Sequence, residues 1–235
     1  MPEKAIQSKI SPKKYYPKGL TILFEDQDIL VVNKIEGLLT MGTDREKERT
    51  AYFLLNDYVR RGNSRSKNRI FIVHRLDKDT SGVLIFAKSE VAKRSLQDNW
   101  DEVSKMYFAV VHGKLKEKVG VITSYLLENK AHRVYSTKDV SIGKFSKTGY
   151  KVIRESKNFS LLEIDLFTGR KNQIRVHFSE KGNPVAGDKM YGIVDKGVKR
   201  LTLHAASITI THPFSKKQMT FATEPPPYFK ALMNF

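Results

Sequence analysis

His74-Arg75-Leu76-Asp77-Lys78-Asp79-Thr80-Ser81-Gly82 is the stretch on which the reading of this chain turns. Apolar runs flank it, IFIV at residues 70–73 and VLIFA at residues 83–87. Short, β-branched runs bounded by polar turn residues predict strands, so the segment is strand, loop, strand. Gly82 permits a turn, and the Thr80 and Ser81 hydroxyls are placed to bond the loop backbone. The loop then presents Asp77 at a sheet edge, next to Arg75. Taken alone, an Asp in such a turn is more often a backbone acceptor than a catalyst.

Upstream, residues 21–24 and 29–33 predict strands around the acidic turn EDQD at residues 25–28. Residues 50–61 have helical periodicity, with Tyr52, Leu55 and Val59 on one face. The run RRGNSRSKNR, residues 60–69, holds five basic residues and no acid. It is either a solvated loop or a nucleic-acid contact, with Arg61, Arg65 and Lys67 as the candidate phosphate ligands. Downstream, Ser89 is an N-cap and Glu90 a favourable first-turn acid for a helix reaching Trp100. Residues 105–112 alternate as a strand with Tyr107, Ala109 and Val111 on one face. Further strands are expected at residues 119–126, 149–154, 160–167, 203–211 and 218–223. A helix is expected over residues 171–181, with Ile174, His177, Phe178 and Lys181 sharing a face. Pro225, Pro226 and Pro227 force an extended exit before a closing segment at residues 228–235. The pattern is α+β with strands in the majority. A basic arm is read at residues 1–20 and one folded unit at residues 21–235.

The chain has 235 residues, enough for a substantial core, and 42 Lys plus Arg against 25 Asp plus Glu, a formal charge of +17. That excess favours a polyanionic partner, nucleic acid first and an anionic membrane surface second. There is no Cys, which excludes thiol nucleophiles, disulfides and zinc–thiolate sites. The six His residues lack metal-ligand spacing, so neither a metal site nor a cofactor is expected. No apolar run approaches a signal-peptide core or a membrane span, which reads as a cytosolic chain.

A second dense segment is TGRKNQIRVH, residues 168–177, where Gly169 turns the chain into a helix and Arg175 sits about one turn inside it. Such an Arg is usually a surface charge, but it could instead pair with a buried Asp. The loop KGNPVAGDKMYG at residues 181–192 has three glycines and a proline, which implies a specified backbone path. GKFSKT at residues 143–148 lacks the spacing of a phosphate-binding P-loop.

HRLDKDTSG, KMYFAVVHG (residues 105–113), TGRKNQIRVH, GNPVAGDKMYG (182–192) and RLTLHA (200–205) follow one another in an order that resembles the RluA-type RNA pseudouridine synthases. ILFEDQDILVVNKIEGLL at residues 22–39 resembles that family's opening segment, and the likeness runs from about residue 20 to the end. It implies the pseudouridine synthase fold, a mixed, mainly antiparallel sheet with flanking helices and a central RNA-binding cleft. It also implies isomerisation of specific uridines in rRNA or tRNA, without a cofactor, by a cytoplasmic monomer that lacks the S4-like domain of many relatives. Asp77 would be the essential carboxylate, attacking the nucleoside or assisting proton removal from the ribose. Arg175 would be its matching cation, and Tyr107 would stack on the base and help remove the C5 proton. Arg75 would occupy the space vacated by the flipped base, and Ile174 would wall the uracil. Two positions depart from the family pattern: Ile35 stands where Pro is usual, and Asn172 where His is usual. The rival readings are a non-catalytic RNA-binding protein on the same fold and a hydrolase that releases the nucleobase.

Overall fold

The structure, a computed structural model, describes residues 15–42 and 46–233. Most of the expected basic arm, including Lys4, Lys9, Lys13 and Lys14, lies outside the described residues. In chain order the elements are β1 (Leu20–Glu25), β2 (Ile29–Lys34), α1 (Ala51–Arg60), β3 (Phe71–Ile72), β4 (Ser81–Ala87), α2 (Glu90–Asp98) and β5 (Ser104–His112). They continue with β6 (Val119–Glu128), β7 (Val134–Thr137), β8 (Lys144–Glu155), β9 (Phe159–Leu166), α3 (Gln173–Glu180), β10 (Leu203–Thr211), β11 (Gln218–Ala222) and α4 (Pro227–Leu232).

One mixed sheet carries the order β1-β2-β4-β10-β5-β9-β8-β6-β7, with β3 on β4 and β11 on β10. Its strand pairs are antiparallel except β4 with β10, where His204 lies beside Ser81 and Ala205 beside Gly82. This is the α+β architecture that the pattern predicts, with the mixed, mainly antiparallel sheet that the resemblance implies. The Asp77 loop does not stand at a sheet edge, as the strand–loop–strand reading had it. It ends at the start of β4, between β2 and β10. All seven residues of β4 are buried because helices cover both faces. Leu84 and Phe86 pack with Leu55 and Tyr58 of α1, and Val83, Ile85 and Ala87 pack with Ala92 and Leu96 of α2. A strand enclosed on both sides is apolar throughout rather than alternating.

Gly82 has a stronger reason than a turn. Its φ is +118°, and a Cβ there would overlap the Ala205 carbonyl oxygen across the parallel pair. Ser81, expected to bond the loop, turns instead to His204 Nδ1 at 2.8 Å. The first two helices begin where their caps dictate: Thr50 Oγ1 accepts from the Phe53 amide at 3.2 Å, and Ser89 Oγ from the Ala92 amide at 3.1 Å. The face expected on α1 is off by part of a turn. Tyr52 is 36% exposed, and the buried side carries Ala51, Leu55, Asn56 and Tyr58.

On the other half of the sheet, Ala109, Val111, Leu162, Ile164 and Leu166 pack against Ile174 and Phe178 of α3. Within the closing segment α4 forms, and its Phe229, with Met233 just after it, packs buried against Val110. β7 and the first five residues of β8 lie outside the expected strands, because the first is short and the second, KFSKT, is polar on one face and half exposed. Among the described residues no helix is long and apolar enough to cross a membrane.

Candidate active site

A cleft of about 640 Å³ opens where the β3–β4 loop, β5, α2 and the start of α3 meet. Asp77, Arg75, Tyr107, Ile174 and Arg175 all line it. Arg61, Arg65 and Lys67 do not; they lie exposed in the loop that leads into β3.

The Asp77 loop is held from the segment that follows β2. Thr40 Oγ1 donates to the Leu76 carbonyl at 2.8 Å and accepts the Leu76 amide at 3.2 Å. Lys34 Nζ donates to the carbonyls of Leu38 (2.8 Å), Ile35 (3.0 Å) and Lys78 (3.1 Å), and the Gly37 amide adds a bond to Lys78 at 2.9 Å. The residues on either side of Asp77 are thus anchored, while its side chain is left to face the cleft. Lys34 is fully buried, and burial lowers its pKa to about 8, opposed by the charges of Asp77, Asp79 and Glu36. Neither Lys34 nor Thr40 stood out as a site residue in the sequence; an apolar strand ending in Lys was the available signal. Ile35 has a structural consequence of its own, because its amide donates to the Gly19 carbonyl at 3.1 Å, a bond that Pro could not make.

Arg175 comes to the same place from α3, but its main partner is not Asp77. Its Nε and Nη2 make a fork to Asp188 at 2.7 and 2.8 Å, while Nη1 reaches Asn172 Oδ1 at 2.9 Å and Asp77 Oδ2 only at 3.4 Å. The Asp188 side chain is 0% exposed, that of Arg175 12% and that of Asp77 36%. The expected pairing of Asp77 with Arg175 is therefore the outer, weaker arm of a buried Arg175–Asp188 pair. Burial works against both charges, yet their mutual hydrogen bonds and attraction outweigh it, raising the Arg175 pKa and lowering that of Asp188. Amides of Met190 and Tyr191 also donate to Asp188 Oδ1, at 2.9 and 3.0 Å.

The chain path explains why Asp188 is there. Gly187 has φ +76°, and a Cβ on it would overlap the Arg200 carbonyl oxygen, so only Gly lets the loop pass. The three glycines and the proline of that loop were legible as a fixed path; its acid as the partner of Arg175 was not. Asn172, at the αL position before α3 with φ 55°, uses its side chain to join Arg175 and the Tyr191 hydroxyl. Gln173 locks the preceding turn, accepting from Thr168 Oγ1 and the Arg170 amide and donating to the Lys147 carbonyl and Thr148 Oγ1.

Tyr107 stands on β5, packed between the two halves of the core with part of its ring toward the cleft. Burial, and after it the charge of Asp77, pushes its phenol pKa well above the ordinary value. The phenol therefore rests protonated. Asp26, Asp28 and His212 come together near the turn after β1, where His212 Nδ1 accepts the Phe214 and Ser215 amides. That leaves Nε2 to donate to Asp26 Oδ2 at 2.9 Å, tying two turns together.

A family model described as RNA pseudouridylate synthase matches residues 28–180. The chain belongs to that family. It is 36% identical over 207 residues to the ribosomal large subunit pseudouridine synthase C of Vibrio vulnificus, covering 84% of this chain and 63% of the relative. It is 35% identical over 201 residues to an uncharacterized RNA pseudouridine synthase of Bacillus subtilis, covering 83% of this chain and 65% of the relative. The chain thus spans a little under two thirds of the length of these relatives. Among solved structures, human RNA pseudouridylate synthase domain containing 1 superposes with a TM-score of 0.72 at 27% identity, over 91% of this chain and 86% of that one.

Proposed function

We propose that this chain isomerises uridine to pseudouridine in RNA, with Asp77 as the essential carboxylate. The observation that carries the reading is the placement of Asp77: its neighbours are anchored, its carboxylate faces the cleft, and Arg175 stands behind it at 3.4 Å. The reaction breaks the C1′–N1 bond, turns the uracil and joins C5 to C1′; the proton lost from C5 is balanced by one gained at N1. Asp77 acts either on C1′ directly or on a ribose proton. Ile174 forms the apolar wall against the base, and Arg75, exposed at the cleft, fills the stack that the flipped uridine leaves. Because the Tyr107 phenol rests protonated, it takes the C5 proton only if its own proton leaves in the same step. Its ring is the stacking surface.

Arg61, Arg65 and Lys67 contact RNA outside the cleft, where electrostatics offset the cost of base flipping. We take the chain to act as a cytoplasmic monomer. Large-subunit ribosomal RNA, named for the Vibrio relative, is the first substrate to test, and transfer RNA the second.

The test is Asp77→Asn, which keeps shape and removes charge. Tritium release from RNA labelled at uridine C5 should vanish while RNA affinity stays within several-fold. Formation of pseudouridine at more than a few per cent of the parent rate would remove Asp77 from the chemistry. Free uracil in the parent reaction would favour a hydrolase, and RNA binding without either product would favour a non-catalytic binder.

A further inference from the structure

The cleft continues past Tyr107 to a group that the proposed chemistry does not use: Lys105, Trp100, His74 and Gln97. Lys105 is only 8% exposed, yet it lines the cleft. Its Nζ donates to the Trp100 carbonyl at 3.3 Å and lies 5.2 Å from the centre of the Trp100 ring. Among the described residues no carboxylate is in ion-pair contact with it; the charge of Asp101 acts only at a distance. A lysine ammonium has three donors, and one carbonyl and one ring do not satisfy it. Burying a cation in this way is unfavourable unless an anion completes the site.

Lys105 Nζ stands over the Trp100 ring, and His74 packs against the same ring, with centroids 4.8 Å apart at 35°. The His74 ring is itself fixed, since Nε2 accepts the Ile85 amide at 3.1 Å. Trp100 and His74 are thus a rigid backing for one ammonium group. Residues two apart on a strand point to the same face at a separation of roughly 6.6 Å. Lys105 therefore stands about one nucleotide step along β5 from Tyr107.

We propose that Lys105, backed by Trp100, is an anchor for a backbone phosphate of the RNA strand adjacent to the target uridine. The inference rests on the proposed RNA substrate and adds a subsite to it. A phosphate supplies the anion that Lys105 has no contact with among the described residues, and it locates the strand so that one uridine enters beside Asp77. Trp100 is a positioning residue: it holds the ammonium in place and does not touch the base.

Pentauridylate is a suitable probe, since every register offers a uridine with phosphates beside it, and free uridine has none. Lys105→Met should weaken pentauridylate binding about 10- to 100-fold, the range of a charge-assisted hydrogen bond. The slope of log affinity against log salt should shrink by roughly 0.7, one single-strand phosphate contact. Lys105→Arg should keep the slope, which separates charge from packing. Pentauridylate in which every linkage is a neutral methylphosphonate should bind the parent less tightly than the natural strand, with a smaller loss for Lys105→Met. Equal losses for uridine and pentauridylate would mean that Lys105 meets the base and would overturn the inference, as would an unchanged slope or a parent that does not bind pentauridylate. If instead the parent forms no pseudouridine in any RNA while the linkage effect holds, the phosphate anchor stands and the proposed reaction falls.

Discussion

Arg175→Met removes the cation that faces two carboxylates, and the structure says which loss matters. Asp188 is 0% exposed at its side chain and loses both arms of the fork, at 2.7 and 2.8 Å. Oδ1 keeps the Met190 and Tyr191 amides, while Oδ2 keeps no hydrogen bond seen among the described residues. Removing one partner of a buried pair costs about 3–5 kcal/mol. For a chain of this size that is a fall in melting midpoint of roughly 6–20 °C, at about 2–4 °C per kcal/mol. Asp77 is 36% exposed and 3.4 Å away, so water takes over much of what Arg175 gave it. Two double-mutant cycles measured by denaturant unfolding therefore separate the partners. The Arg175→Met with Asp188→Asn cycle should show a coupling of about 2 kcal/mol or more, because no orphan anion remains in the double variant. The Arg175→Met with Asp77→Asn cycle should show less than about 1 kcal/mol. Additivity in the Asp188 cycle, or the larger coupling in the Asp77 cycle, would refute the assignment of Asp188 as the primary partner.

Three further outcomes are expected. Tyr107→Phe keeps the ring and loses the phenol, so single-turnover product formation should drop by about 10²- to 10⁴-fold with RNA affinity nearly unchanged; full turnover would leave Tyr107 a packing role alone. Replacing Arg61, Arg65 and Lys67 together with Ala should reduce the salt slope of RNA binding by up to about 2 and spare the chemical step at saturating RNA, whereas an unchanged slope would make the loop merely solvated. Burial depresses His74 to about pH 3 and His177 and His204 to about pH 4. Between pH 6.5 and 4 the unfolded chain binds protons that the native state refuses, so stability present above pH 6.5 is lost on acidification, by about 1.4 kcal/mol per pH unit for each such proton. His204→Gln should remove about one proton from that dependence, and an identical pH profile in the variant would exclude His204 from it.

Much of this protein is legible along the chain because its determinants are local. The strand at residues 83–87, the cap at Ser89, and the helix carrying Ile174 and Arg175 follow from periodicity and capping within a few residues. The ordered motifs around Asp77, Tyr107 and Arg175 likewise announced both the family and the residues that the cleft brings together. What tertiary structure alone decided was partnership. Nothing in the spacing tells Arg175 to fork onto Asp188, 13 residues on, rather than onto Asp77, 98 residues back; the loop path past Arg200 does, because only Gly187 lets the backbones come that close. Lys34 and Lys105 read as ordinary strand lysines, and only the folded sheet shows one bound to three carbonyls and the other facing the cleft with no carboxylate in contact among the described residues. The face of a lysine on a strand follows from alternation, whereas the environment it meets is set by segments far away in the chain, and a charge is costly or useful according to that environment.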